Sequence, residues 1–353
     1  MKRVDIQRLI RPVINRLQAY EAKEIPSRIK LDANESPYGI EKDLSGVIRA
    51  LKSNRYPDPE AKELKKTIGK RFGVSSNNIL VGNGSDEIIY YLITAFGGPV
   101  LYPTPTFSMY GVISQTLGAK NIEIPLDKEF DIDLDKTLRA IRKEKPKLVF
   151  LSSPNNPTGN CFSAERILKI IDSSLVTRNQ SLVVVDEAYQ PFSSEKGFLP
   201  FLKDYKNLVI MRTLSKIGMA ALRLGFLIGD PEIIEQVNKV RLPFNVNSVS
   251  QAIAVEVLKD KKWLDSAIKK IASERERLLN ELEKIKGIRP FPSEANFILF
   301  KVKNPDKVYN SLLKKGILVK NMNSVVKGCL RVTVGTLEEN SAFIKALKRI
   351  VSL

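Results

Sequence analysis

The chain has 353 residues, 43% hydrophobic and 27% charged, which suggests one large domain with a smaller companion or two domains of similar size and excludes a disordered or membrane-embedded chain. Lys and Arg number 57 against 39 Asp and Glu, a formal net charge of +18, with two cysteines and no histidine. The missing histidine excludes Ser-His-Asp and Cys-His catalysis and histidine-ligated metals, and Cys161 and Cys329 can build neither a disulfide framework nor a metal site.

The positive charge is spread through pairs such as Lys65-Lys66, Lys261-Lys262 and Lys314-Lys315. Scattered charge of this kind fits small anionic substrates better than nucleic acid, so no nucleic-acid partner is expected. The opening Met1-Lys2-Arg3-Val4-Asp5 lacks a signal-peptide core, and no apolar run reaches about 18 residues. The expectation is a soluble cytoplasmic protein with no membrane partner.

Along the chain, the stretch to about Tyr56 is polar and broken by Pro26, Pro37, Pro57 and Pro59, and reads as an arm with a short helix. Helical spacing covers Glu60 to Phe72. Ile79-Leu80-Val81 reads as a strand, then Gly82-Asn83-Gly84-Ser85-Asp86-Glu87 leads into a helix from Ile88 to Phe96. Strand-length apolar runs follow at Val100–Tyr102, Leu148–Leu151, Leu182–Val185, Leu208–Met211 and Leu224–Ile228, with a helix at Glu165–Ser174. Their lack of alternation predicts strands buried on both faces of a largely parallel sheet.

Beyond Pro231 the pattern turns helical: a helix from about Glu232, a break at Pro243, and heptad-like spacing from Ser248 to Lys286. Strands at Asn296–Val302, Gly316–Lys320 and Cys329–Val334 and helices at Asp306–Lys315 and Glu338–Val351 complete the chain. The fold class is α/β: a mostly parallel central sheet sandwiched by helices, plus a smaller α+β domain formed by both chain ends. The expected divisions are 1–45 as arm and part of the small domain, 46–245 as the large domain and 246–353 as the small one.

In open α/β sheets ligands sit beyond the carboxyl ends of strands, and four strand ends here carry polar chemistry. Gly82 to Glu87 is either a phosphate-binding turn or a structural turn capped by Ser85 or Asp86. Ser152-Ser153-Pro154-Asn155-Asn156-Pro157-Thr158-Gly159 is a second, which taken alone can be a plain turn; Val185-Asp186-Glu187-Ala188-Tyr189 is a third, where Asp186 can be a helix cap. Arg212-Thr213-Leu214-Ser215-Lys216 with Leu222-Arg223-Leu224-Gly225 is the fourth. An acid at one strand end and a lysine at a later one form the pair that a pyridoxal phosphate site requires.

In these ordered motifs the sequence resembles the aspartate-aminotransferase superfamily of fold-type-I pyridoxal phosphate enzymes. Leu31-Asp32-Ala33-Asn34-Glu35-Ser36-Pro37, Arg55-Tyr56-Pro57-Asp58-Pro59, Pro103 to Tyr110 and Gly328 to Thr336 resemble its histidinol-phosphate aminotransferase branch. Aromatic aminotransferases and threonine-phosphate decarboxylases share these motifs. The resemblance implies pyridoxal 5'-phosphate as cofactor and no metal. It makes Lys216 the Schiff-base lysine and proton carrier, Asp186 the partner of the pyridine nitrogen, and Tyr189 and Asn156 the partners of the ring hydroxyl oxygen. Phe107 stacks on the ring, and Ser85, Asp86, Ser215 and Arg223, assisted by Thr213, cradle the phosphate. Tyr56 comes from the neighbouring subunit, which implies a homodimer with shared sites. Tyr20, Asn34, Lys320 and Arg331 fall to the substrate, with histidinol phosphate, glutamate and 2-oxoglutarate as the anions bound.

Three positions depart from the family. Lys320 stands where an arginine is usual, and an ammonium is a poorer bidentate partner than a guanidinium. Phe107 replaces the commoner tyrosine, which keeps the ring and removes a hydroxyl. The segment from Lys216 to Arg223 is one residue shorter than usual.

Overall fold

The computed structural model describes residues 5–17, 24–176 and 180–352. Twelve strands are present among them: β1 (Ile29–Leu31), β2 (Ile79–Asn83), β3 (Val100–Thr104), β4 (Asn121–Pro125), β5 (Leu148–Ser152) and β6 (Leu182–Asp186) come first. They are followed by β7 (Leu208–Thr213), β8 (Leu224–Ile228), β9 (Ile288–Pro290), β10 (Phe297–Val302), β11 (Ile317–Asn321) and β12 (Cys329–Thr333). Seven form a large sheet in the order β2-β8-β7-β6-β5-β3-β4, and five form a small sheet in the order β1-β11-β12-β10-β9.

The large sheet is buried on both faces, as its uninterrupted apolar runs predict. Val149, Leu151, Val183, Val185 and Ile210 pack into one apolar layer with Ile167, Ile170 and Ile171 of the helix Ala164–Val176. Their neighbours Leu148, Phe150, Val184, Val209 and Met211 point the other way, against Ile88, Ile89 and Leu92 of the helix Ser85–Phe96. Each fully buried side chain of this size contributes about 1.5–3 kcal/mol, so the two layers together fix the register of the strands.

That register lines up the chemistry. Ser152 at the end of β5 lies beside Asp186 at the end of β6, and Asp186 beside Met211 of β7. β8 is antiparallel to both β7 and β2, so its beginning, not its end, joins this edge. Arg223 therefore reaches the site by standing just before β8.

Several details differ from the sequence reading. The stretch to Tyr56 contains strand β1, whose buried Ile29 and Leu31 add it to the small sheet, parallel to β11. The helical stretch from Ser248 is two helices, Ser248–Lys259 and Lys261–Glu283, because Asp260 caps the second by accepting from Trp263 N at 3.1 Å. β4 and β9 left no apolar run to read: β4 is a half-exposed edge and β9 has three residues ending in Pro290. Among the described residues no helix is long and apolar enough to cross a membrane, and no three side chains are grouped to hold a metal.

Gly225 lets β8 pass close to the start of the helix Ser85–Phe96: a Cβ there would lie 2.6 Å from Ser85 N and 2.7 Å from Gly84 C. Both are backbone atoms and cannot yield by a rotamer change. Gly225→Ala is expected to lower stability by about 1–3 kcal/mol, read from the denaturant midpoint at unchanged slope.

Candidate active site

At the end of β2, Gly84 takes a positive φ of 84° and opens the helix Ser85–Phe96, and no side chain among the described residues caps that helix. Its first N–H groups remain available to an anion. Arg223, itself left-handed at φ 51°, lays its guanidinium over Gly84, where a Cβ would come 2.7 Å from Nη2. The same Nη2 lies 3.4 Å from the Asp86 carboxylate. Ser215 N donates to Thr213 Oγ1 at 3.1 Å, which fixes the turn that carries Lys216. Ser85, Asp86, Thr213, Ser215 and Arg223 thus come together around one helix start.

At the end of β6, Asp186 is 4% exposed. Its Oδ2 accepts from the Tyr110 hydroxyl at 2.6 Å and its Oδ1 from Ala188 N at 3.0 Å. Burial pushes this carboxyl up to about 6, with the charges of Asp86 and Glu187 adding to the rise and the two hydrogen bonds opposing it. Phe107 is half-buried and meets Tyr110 edge-on, with centroids 5.6 Å apart.

Small-sheet residues close the other side. Asn34 Nδ2 donates to the Tyr189 hydroxyl at 2.9 Å, and Asn34 N donates to Thr333 Oγ1 at 3.0 Å. Lys216 Nζ lies 5.9 Å from the centroid of the Tyr189 ring. Arg331 on β12 donates through Nη1 to Asn156 Oδ1 at 2.5 Å and through Nη2 to Asp32 O at 2.8 Å. Its guanidinium packs over the Phe297 ring at 5.0 Å, and its buried Nε has no hydrogen-bond partner among the described residues. Burial pulls this arginine below its ordinary pKa, an effect that an anionic ligand would relieve.

Two residues stand apart from this cluster. Tyr56 is 81% exposed and stacks on Phe244 at 4.5 Å, on the surface of its own chain. Lys320 is exposed, but it is the register partner of Arg331 across β11 and β12 and so projects from the same face of the small sheet. Tyr20 lies outside the described residues.

Two buried polar groups lie beyond the residues expected from the sequence. Tyr110 stands three positions after Phe107, a spacing that is the local signal for both rings facing one way. Glu187, buried beside Asp186, receives Arg212 Nε at 2.8 Å and the Phe198 N–H, and Arg212 packs over Phe72. This ion pair braces the ends of β6 and β7.

The arrangement offers an uncapped helix start with a guanidinium for a phosphate, a buried acid for a ring nitrogen, phenol and amide groups for a ring oxygen, and a primary amine 5.9 Å from the Tyr189 ring. The Gly84–Arg223 contact and the orphaned Nε of Arg331 are two independent signs that anions belong here, and the donor set fits pyridoxal phosphate.

The sequence pattern of the family described as aminotransferase class I and II matches residues 26–347. A histidinol-phosphate aminotransferase of Aquifex aeolicus is 44% identical over 350 residues, covering 96% of this chain and 97% of the relative. The crystal structure of the histidinol-phosphate aminotransferase from Clostridium acetobutylicum superposes with a TM-score of 0.84 at 27% identity, covering 92% of this chain and 99% of that one. That of the Sinorhizobium meliloti enzyme in complex with pyridoxal-5'-phosphate shares the fold at 24% identity and a TM-score of 0.86, over 97% of each chain.

The raised pKa of Asp186 has a stability consequence in the ligand-free protein. A carboxyl whose folded value lies above its unfolded value disfavours folding once it ionises, so the penalty is small near pH 4, grows as pH rises toward about 6 and is complete at neutral pH. Asp186→Asn is expected to stabilise the ligand-free chain at neutral pH, by up to about 3 kcal/mol, with the gain vanishing toward pH 4. Denaturant titrations at both pH values check this.

Proposed function

We propose, from the premise that this chain belongs to the class I and II aminotransferases, that it moves the amino group of L-histidinol phosphate to 2-oxoglutarate, in histidine biosynthesis. The products are imidazole acetol phosphate and L-glutamate. The observation that carries this choice is the pairing of Lys320 with Arg331 on one sheet face, beside a guanidinium whose Nε is unmatched. Two cations so placed suit a doubly charged phosphate on one substrate and the carboxylates of the other. The full-length likeness to histidinol-phosphate aminotransferases agrees with it.

Pyridoxal phosphate, when bound, supplies an aldehyde that carries the amino group and a ring that accepts electron density. Ser85, Asp86, Ser215 and Arg223, with Thr213 behind them, would hold its phosphate, chiefly through backbone N–H groups and the guanidinium. Phe107 would cover the ring. Tyr189 and Asn156 would bind the ring oxygen, and the Arg331–Asn156 hydrogen bond at 2.5 Å ties that oxygen's partner to the substrate-binding cation. Asp186, ionised, would keep the ring nitrogen protonated. Lys216 would hold the cofactor covalently and, once released, move the proton at the substrate Cα as general base and acid. Asn34, bonded to Tyr189 and Thr333, would brace the substrate side, which Tyr20 joins in this reading.

The large domain at 46–245 and the small domain at 246–353, joined by part of 1–45, would flank this cleft. A homodimer is part of the same reading. Tyr56, Phe244 and Leu242 are exposed by 81%, 38% and 62%, an apolar surface that a second copy would cover while lending Tyr56 to its neighbour's phosphate site. Small anionic substrates and a cytoplasmic setting complete it.

Turnover assays with histidinol phosphate, phenylalanine and threonine phosphate test the substrate. Histidinol phosphate is expected to have the highest kcat/KM, and Lys320→Ala to lower it several-fold more than that for phenylalanine, an effect reduced by salt. Phenylalanine as the better substrate, unmoved by Lys320→Ala, would replace this reading with an aromatic aminotransferase. For the shared site, Lys216→Ala subunits mixed with Tyr56→Ala subunits should form dimers with one fully equipped site and recover about a quarter of wild-type activity at random pairing. Mixed dimers without recovered activity would place Tyr56 in its own chain's site or in none.

A further inference from the structure

Among the described residues Tyr110 is the one side chain hydrogen-bonded to the Asp186 carboxylate, and the proposed reaction leaves it without a task. Its side chain is fully buried, and its hydroxyl donates to Asp186 Oδ2 at 2.6 Å. The ring cannot swing away: it stacks on Phe150 at 4.8 Å and 15°, and lies edge-on to Phe107 at 5.6 Å. A phenylalanine would fill the same space, so packing alone does not call for the hydroxyl.

We propose that Tyr110 is a positioning residue that keeps the Asp186 carboxylate ionised and oriented for the ring nitrogen of the cofactor, an inference that rests on the reading of Asp186 given above. Asp186 sits where burial and two like charges, Asp86 and Glu187, all favour its neutral form. Tyr189, a phenol on the following turn, acts on Tyr110 and helps to keep that hydroxyl protonated. Against these, the Ala188 N–H and the Tyr110 hydroxyl are the two donors that stabilise the charge, one on each oxygen. Burial and the Asp186 charge hold the Tyr110 phenol well above its ordinary pKa, so it stays a donor at every working pH. Because Phe107 touches the same ring, one side chain links the residue that would cover the cofactor face to the residue that would set the cofactor's charge.

The test uses the holoenzyme carrying cofactor labelled with 15N at the ring nitrogen, whose resonance reports where the shared proton lies. Removing a hydrogen bond to a carboxylate raises its proton affinity by about tenfold or more. Tyr110→Phe is therefore expected to move the resonance toward that of the unprotonated ring at neutral pH, with cofactor still bound. Replacing Tyr110 by 3-fluorotyrosine, a stronger donor of nearly the same shape, should hold the resonance at or beyond the wild-type position, and this second variant keeps the packing intact. A Tyr110→Phe resonance that coincides with wild type overturns the proposal. Asp186→Asn distinguishes the two levels: if it moves the resonance and Tyr110→Phe does not, only the role of Tyr110 falls, whereas if it does not move it, the reading of Asp186 falls first and this inference with it.

Discussion

A sheet covered by helices on both faces has no room for charge between its strands, and this constraint places everything else. The faces of β5, β6 and β7 are filled by Val149, Phe150, Val183, Val184, Val209 and Ile210, all fully buried. A polar side chain there would lose water without gaining a partner, a cost of a few kcal/mol. Polar groups are therefore confined to the strand ends, where backbone N–H groups and loops can satisfy them. Asp186, Ser152 and Thr213 are each the last residue of their strand. The antiparallel β8 extends the rule, since it delivers Arg223 at its start to the edge that its neighbours reach at their ends.

The same constraint makes the site electrostatically tense. Asp186 lies at the lip of an apolar layer, and its charge is sustained by two donors and, in the proposed holoenzyme, by a protonated ring. Arg331, 7% exposed, is similarly held by an amide, a carbonyl and an aromatic face, with one nitrogen left over. A buried anion with no countercharge and a buried cation with an unpartnered nitrogen among the described residues suit a ligand carrying both signs of charge, at lower reorganisation cost than an open surface would need. The Glu187–Arg212 pair next to it is fully matched and keeps the strand ends in place.

Local sequence carried the elements with long apolar runs, because burial on both faces leaves a run that needs no tertiary knowledge to recognise. Even there the ladders extend one or two residues further, since the polar terminal residues Ser152, Asp186 and Thr213 still pair with their neighbours. β1 escaped because three residues with the pattern buried–exposed–buried resemble any loop between prolines. The motifs that name the chemistry were local too: Asp186, Lys216 and the Gly84 turn each stand in a readable stretch. The bonds that assemble them are not local. Tyr110 and Asp186 are 76 positions apart, Asn34 and Tyr189 155, and Asn156 and Arg331 175, so nothing in the spacing of either partner announces the other.

In the proposed function four strand ends form one cofactor site with Lys216 as its covalent anchor. Reduction of the holoenzyme with borohydride, followed by peptide mapping by mass spectrometry, tests it directly, because reduction makes the lysine linkage permanent. The mass of a reduced pyridoxyl phosphate group is expected on the peptide containing Lys216 and on no other lysine. The group on a different lysine, or its absence from protein that has been saturated with pyridoxal phosphate, would contradict the account.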